Sequence, residues 1–176
     1  MNARSIRTAT PADLPRLHDL VESAYRGDSA RLGWTHEADL LDGQRTDAAA
    51  LAAILADPRQ RILVAVEQGA ITGCVQISDK GDGIAYLGML SVDPGRQAAG
   101  LGKLLIAAAE HDAQALFGAR RIEMTVIRQR AELIAYYERR GYARTGEERP
   151  FPLDDPRFGL PRTRDLAFVV LARKLG

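Results

Sequence analysis

The chain has a single cysteine, Cys74, so it forms no internal disulfide and fits a reducing compartment. An excess of charge is also missing. Its 24 Lys and Arg against 23 Asp and Glu leave a net charge of +1, so no global field favours nucleic acid or an anionic membrane, and neither is expected as a partner. No stretch approaches the roughly 18 apolar residues of a membrane span. The opening MNARSIRTATPADL lacks the apolar core of a secretory signal. The histidines His18, His36 and His111 have no companion ligands at metal spacing, so no metal is expected. Together these absences lead us to expect a soluble, cytoplasmic protein. Hydrophobic residues at 46% and charged residues at 27% are ordinary globular composition, and one domain over 1–176 accounts for the length.

Ser5 to Thr8 reads as a strand. Thr10-Pro11-Ala12-Asp13 then starts a helix whose apolar row is Leu14, Leu17, Val21 and Ala24. The pattern weakens from Arg26 to Thr46, and a short helix with Leu51, Ile54 and Leu55 inward ends at Asp57-Pro58. Arg61–Glu67, Ala70–Ser78 and Ile84–Val92 are β-branched-rich runs separated by Gln68-Gly69 and Lys80-Gly81-Asp82-Gly83, which favours antiparallel hairpins. A helix over Leu101–Leu116 follows, with Leu104, Leu105, Ala108, Ala109 and Leu116 inward and Gly118 as its stop. Next come a strand at Arg121–Ile127, a helix in RAELIAYYERRGY closed by Gly141, and strands near Tyr142–Glu148 and Leu166–Arg173. The connector PFPLDDPRFGLPRTR between Pro150 and Arg164 is proline-rich, stiff and irregular, and a loop this long is more often a lid or wall than a spacer. The expected fold is an α/β (α+β) mixed sheet, mostly antiparallel, with helices on both faces. One parallel pair is joined by a right-handed crossover through the Leu101–Leu116 helix.

The segment SVDPGRQAAGLGKLL places Gly100 and Gly102 where a strand gives way to a helix. A helix N-terminus carries unpaired N–H groups and a partial positive charge, and glycine lets an anion approach them, so the segment reads as a pyrophosphate cradle with Lys103 alongside. The alternative is that Gly100 only shapes a turn. A P-loop is excluded because Leu104 follows Gly102-Lys103, and a dinucleotide fingerprint because position 105 is leucine.

Gln97-Ala98-Ala99-Gly100-Leu101-Gly102 matches the Q/R-x-x-G-x-G/A signature of the GNAT acetyltransferase superfamily, and Tyr137-Glu138-Arg139-Arg140-Gly141-Tyr142 resembles its second motif, Y-x-x-x-G-F/Y. The resemblance is strong over Ile84 to Tyr142. It implies acetyl-CoA as co-substrate. The amides of Gln97, Ala98, Ala99, Gly100, Leu101, Gly102 and Lys103 would hold the pyrophosphate, and the edge of Leu90-Ser91-Val92 would pair with pantetheine. It also implies that this strand splays from Arg121–Ile127 and that the cofactor enters the gap. By the same resemblance Tyr137 would take the general-acid role, the alternative being a core aromatic with a satisfied hydroxyl, and the backbone amide of Leu90 is the candidate oxyanion donor. Where many members have asparagine, seven residues before that tyrosine, this chain has Arg130, whose guanidinium can still contact the cofactor.

Glu37, Asp39, Tyr86 and Glu123 are candidate bases, acting directly or through water. The acceptor walls are expected from Tyr25 to Arg45, around Trp34, and from the Pro150–Arg164 connector, with Glu37, Asp39 and Asp42 suited to a cationic amine and Tyr86 nearby. The activity implied is N-acetylation of a primary amine, of a small molecule before a protein or peptide, with a non-catalytic acyl-CoA sensor as the competing class. Dimers are common in the family, and no residue here names an interface. Cys74, in mid-strand, reads as a small buried hydrophobe.

Overall fold

The computed structural model describes residues 4–26, 40–43, 45–95 and 100–176. In chain order the elements are β1 (Arg4–Thr8), a 3-10 turn (Pro11–Asp13), α1 (Leu14–Tyr25), β2 (Leu41–Asp42), α2 (Ala48–Ala56), β3 (Gln60–Glu67), β4 (Ala70–Gly81) and β5 (Ile84–Val92). After these come α3 (Leu101–Phe117), β6 (Arg121–Ile127), α4 (Ala131–Glu138), β7 (Ala143–Pro150), a second 3-10 turn (Pro156–Phe158), β8 (Leu160–Pro161) and β9 (Ala167–Lys174). Seven strands form one sheet in the order β1-β3-β4-β5-β6-β9-β7, and β2 with β8 forms a small second sheet.

Local chemistry accounts for the boundaries. The Asp13 carboxylate accepts from the Thr10 amide at 2.8 Å and pairs with Arg7 at 2.7 Å, which fixes the entry to α1. Asp47 caps α2 by accepting from the Ala50 amide at 2.7 Å. The β3–β4 turn has φ of 51° at Gln68 and 78° at Gly69, and the β4–β5 turn has 56° at Asp82 and 77° at Gly83. Both are left-handed pairs that match the twist of antiparallel strands.

The sheet is covered on both faces, as expected. On one face α3 and α4 pack through Leu101, Leu105, Ala109, Leu133 and Ile134; on the other, α1 and α2 pack through Leu17, Leu20, Val21 and Leu51. Each fully buried leucine stabilises by about 1.5–3 kcal/mol. The expected inward face of α3 needs a correction. Leu104 is 45% and Leu116 51% exposed, because the row Leu101, Leu105, Ala109, Ala113 makes the contact. Leu104 falls on its outer flank, and Leu116 lies in the last turn, where Phe117 packs against the core instead.

The connector is more regular than its prolines suggest. Pro150 ends β7, Pro156–Phe158 makes a helical turn, and β8 pairs antiparallel with β2. Leu41, Ile127, Phe151 and Leu166 form a third, small apolar cluster beneath it. The connector is thereby held over one end of β6.

Candidate active site

Every strand pair of the large sheet is antiparallel except β5 with β6, which is parallel and registers only at Ile84–Arg121, Ala85–Ile122 and Tyr86–Glu123. Beyond that point β5 continues to pair with β4 as far as Val92, and β6 with β9 as far as Ile127, so the two part company inside an otherwise continuous sheet. The splay that family resemblance implied is therefore present in the backbone. Its cause is a bulge in β5. The register shifts between Cys74 and Gln76, and Met89 sits at φ of 54°, a conformation non-glycine residues seldom adopt. A bulge adds a residue on one strand and bends it away from its neighbour.

The gap is a cavity of about 280 Å³. Leu87 to Leu90 form one side and Met124 to Ile127 the other. Tyr25 from α1, Tyr137 from α4, and Phe151 and Phe158 from the connector close it, so the connector and the end of α1 are walls of the cavity. Arg26, Arg45 and Arg130 also line it. At the neck, the Tyr86 and Thr125 hydroxyls share a hydrogen bond of 2.5 Å across the diverging strands. A Cβ on Gly88 would meet the Tyr86 ring at 3.0 Å, so glycine there lets the ring lie against the strand.

Tyr137 reaches the cavity because it continues the buried row of Leu133 and Ile134 on α4. It is 5% exposed. Its ring stands edge-on to Tyr136 at 5.5 Å and to Tyr142 at 6.1 Å. Burial pushes its phenol well above the ordinary tyrosine value, nearby Tyr25 adds to this, and the Arg130 charge opposes it. The proton therefore stays on Oη at neutral pH. That hydroxyl has no hydrogen-bond partner among the described residues, and Tyr137 lines the cavity.

Tyr136 faces elsewhere. The Arg140 guanidinium lies 3.6 Å from its ring centroid, and its hydroxyl approaches the first turn of α3. This adds a packing role for one of the motif glycines. Gly100, the N-cap, has φ of 73°, and among the described residues no atom lies within 4 Å of a Cβ placed on it. At Gly102 a Cβ would stand 2.8 Å from Tyr136 Oη. Gly100 thus adds no side chain at the helix N-terminus, whereas Gly102 admits Tyr136 and locks α4 against α3. A double-mutant cycle tests this: Gly102→Ala and Tyr136→Phe should be coupled by at least about 1 kcal/mol in chemical denaturation, because phenylalanine removes the atom the new methyl meets. Additive effects would refute the contact.

The other expected site residues divide into three groups. Leu90, Ser91 and Val92 are buried at the end of β5, Leu101 is buried in the first turn of α3, and Lys103 is exposed there. Arg130 is the N-cap of α4 and Tyr86 lines the neck. Glu123 does not line the cavity; its carboxylate holds Arg121 at 3.1 Å and Arg149 at 3.3 Å, which leaves it poorly placed as a base. Gln97, Ala98, Ala99, Trp34, Glu37 and Asp39 lie outside the described residues, as does the side chain of Asp42. Sequence reasoning missed the individual aromatic residues of the connector, although Phe151 and Phe158 were the signal: large apolar side chains within a proline-rich loop.

A model of the acetyltransferase (GNAT) family matches residues 15–142, a span that takes in the splayed strands, the α3 N-terminus and Tyr137. The chain belongs to the GNAT family. Among curated proteins none matches it. Solved structures share the fold over nearly the whole chain. The ribosomal-protein-S18-alanine N-acetyltransferase from Escherichia coli has a TM-score of 0.72 at 16% identity, covering 99% of this chain and 95% of its own. The yncA protein from Salmonella typhimurium, solved with its cofactor acetyl-CoA, has 0.72 at 23% identity with the same coverage. A chimera of the Vibrio cholerae spermidine N-acetyltransferase with hSSAT has 0.71 at 16% identity, covering 97% and 95%. At these identities the likeness carries the GNAT fold and not the acceptor.

Proposed function

We propose that the chain is an acetyl-CoA-dependent N-acetyltransferase that moves an acetyl group to the primary amine of a small molecule by direct attack, with Tyr137 as general acid. The observation that carries this reading is the juxtaposition, around one cavity, of a strand edge released by the splay and a buried protonated phenol, with a helix N-terminus next in chain order after that strand. Acetyl-CoA, when bound, supplies an activated acyl group and a sulfur leaving group.

The chain's own residues fit that ligand. The first-turn amides of α3, from Leu101 to Lys103, have no intrahelical acceptor and are available to a diphosphate, with no side chain on Gly100 in the way. The free edge of β5 at Leu90–Val92 offers backbone groups to the pantetheine arm. Arg130, at the cavity wall, is positioned to donate to a carbonyl or phosphate. The Leu90 amide is the donor for negative charge that develops on the carbonyl oxygen. Tyr137 holds its proton at Oη until the sulfur departs. Of the candidate bases among the described residues, Tyr86 lines the cavity.

The walls favour a small acceptor. Phe151 and Phe158 of the connector line the cavity, and pairing of β2 with β8 ties the connector to Leu41–Asp42. Release of free thiol from acetyl-CoA, measured across amino acids, polyamines, aminoglycosides and peptides, tests the reading. Turnover of one small-amine class is expected. Turnover of peptides alone would move the acceptor to a protein, and binding of coenzyme A without release for any amine would make the chain a sensor.

A further inference from the structure

The mechanism leaves the side chains of Cys74 and Ser91 unused, although both are fully buried beside the bulge that opens the sheet. They are register partners across β4 and β5, so their side chains lie on the same face. Both donate to one acceptor: the Met89 carbonyl receives the Cys74 Sγ–H at 3.7 Å and the Ser91 Oγ–H at 3.1 Å. In a trans peptide the carbonyl and the following N–H point to opposite sides. The Met89 carbonyl is drawn toward the Cys74 and Ser91 side chains, so the N–H of the same peptide, that of Leu90, faces away from them.

We propose that Cys74 and Ser91 are positioning residues that, by gripping the Met89 carbonyl, aim the Leu90 N–H into the cavity where the acyl carbonyl is received. The inference rests on the reading of Leu90 as the oxyanion donor. Met89 is held at a left-handed φ of 54° that a non-glycine side chain resists, so the bulge needs bonds to keep it in place. Side-chain donors supply them where the ladder is interrupted. The next carbonyl, that of Leu90, is fixed as well, by the Tyr25 hydroxyl from α1. Successive peptide planes at the bulge are thus both anchored, and the donor between them is preorganised. Burial pushes the Cys74 thiol up to about 12, which keeps its proton available for the bond. Cys74 is buried in the apolar core, as its mid-strand position suggested, and the proposal adds a donor role to that packing.

The test uses the intact protein with acetyl-CoA labelled at the carbonyl carbon and no acceptor, and reads the carbonyl stretch by infrared difference spectroscopy. In the wild type the band is expected at lower frequency than in an aprotic solvent, and the Cys74→Ala/Ser91→Ala double variant should lose much of that shift. The same variant should lose about 10-fold in kcat, a fraction of the roughly 10²–10³-fold lost when an oxyanion donor is removed outright. Its coenzyme A dissociation constant should move far less than kcat, because Ser91 meets the pantetheine arm through its backbone, which the substitution keeps. Cys74→Ser and Ser91→Thr, which keep a donor, should recover the wild-type band. If the double variant does not fold, Ser91→Ala alone is read by the same criteria. A full shift retained in the variants would overturn the positioning role while leaving the Leu90 reading intact. A wild-type band equal to that in aprotic solvent would overturn the Leu90 reading itself, and the inference with it.

Discussion

Tyr137→Phe is expected to lower turnover by about 10²-fold, the usual contribution of a positioned general acid, with the dissociation constant for coenzyme A unchanged. The substitution removes one oxygen from a buried ring and leaves its edge contacts with Tyr136 and Tyr142 in place, so the fold should tolerate it. The pH dependence carries a sign. A general acid works below its own pKa and fails as pH rises through it. Burial raises Tyr137 well above the ordinary value, so the wild type should show no alkaline loss of turnover from this group until pH exceeds about 10. A stopped-flow thiol assay across alkaline pH, in wild type and variant, reads both effects. If the variant binds coenzyme A less tightly but turns over bound acetyl-CoA at the wild-type rate, Tyr137 is a structural residue and another group supplies the proton.

The second large effect is expected at Gly100. Valine there should weaken coenzyme A binding by more than about 10-fold, since loss of a charge-assisted contact at a helix N-terminus is worth roughly 1.5–3 kcal/mol. Two causes must be separated. A β-branched residue in a left-handed conformation pays a strain cost of about 1–2 kcal/mol or more, and its methyl groups also occupy the approach to the first-turn amides. Gly118 supplies the control. It caps the other end of the same helix at φ of 63°, also with nothing among the described residues within 4 Å of an added Cβ. Gly118→Val should therefore show the strain in its melting temperature with coenzyme A affinity intact. Equal loss of affinity in both variants, by calorimetry, would assign the effect to strain and remove the support for a cradle.

The places of Gly100 before α3 and of Tyr137 on the inward row of α4 were legible in the sequence, whereas the roles proposed for them came from family resemblance. A cap glycine and a buried row at i, i+3 and i+4 can each be read along a line of letters. The hairpins were legible too, since Gln68-Gly69 and Asp82-Gly83 are turn pairs that accept positive φ. Other features depend on contacts between distant segments. Gly102 is read as a cradle glycine through its backbone amide, and its lack of a side chain also admits Tyr136, which arrives from another helix. Leu104 looked like core, but the packed row of α3 is set by where the helix meets the sheet. The bulge had no local signal at all: Met89 is a residue type that avoids left-handed backbone, and the bonds that hold it there come from Cys74 on the adjacent strand and from Ser91. The splay was therefore reachable only through resemblance to a family.

A crystal structure with coenzyme A tests the central claim most directly. The account predicts the diphosphate oxygens within hydrogen-bonding distance of the backbone amides of Leu101, Gly102 and Lys103, with the pantetheine arm running along Leu90–Val92 into the gap beside Tyr137. Coenzyme A bound with its diphosphate against any other surface would contradict it.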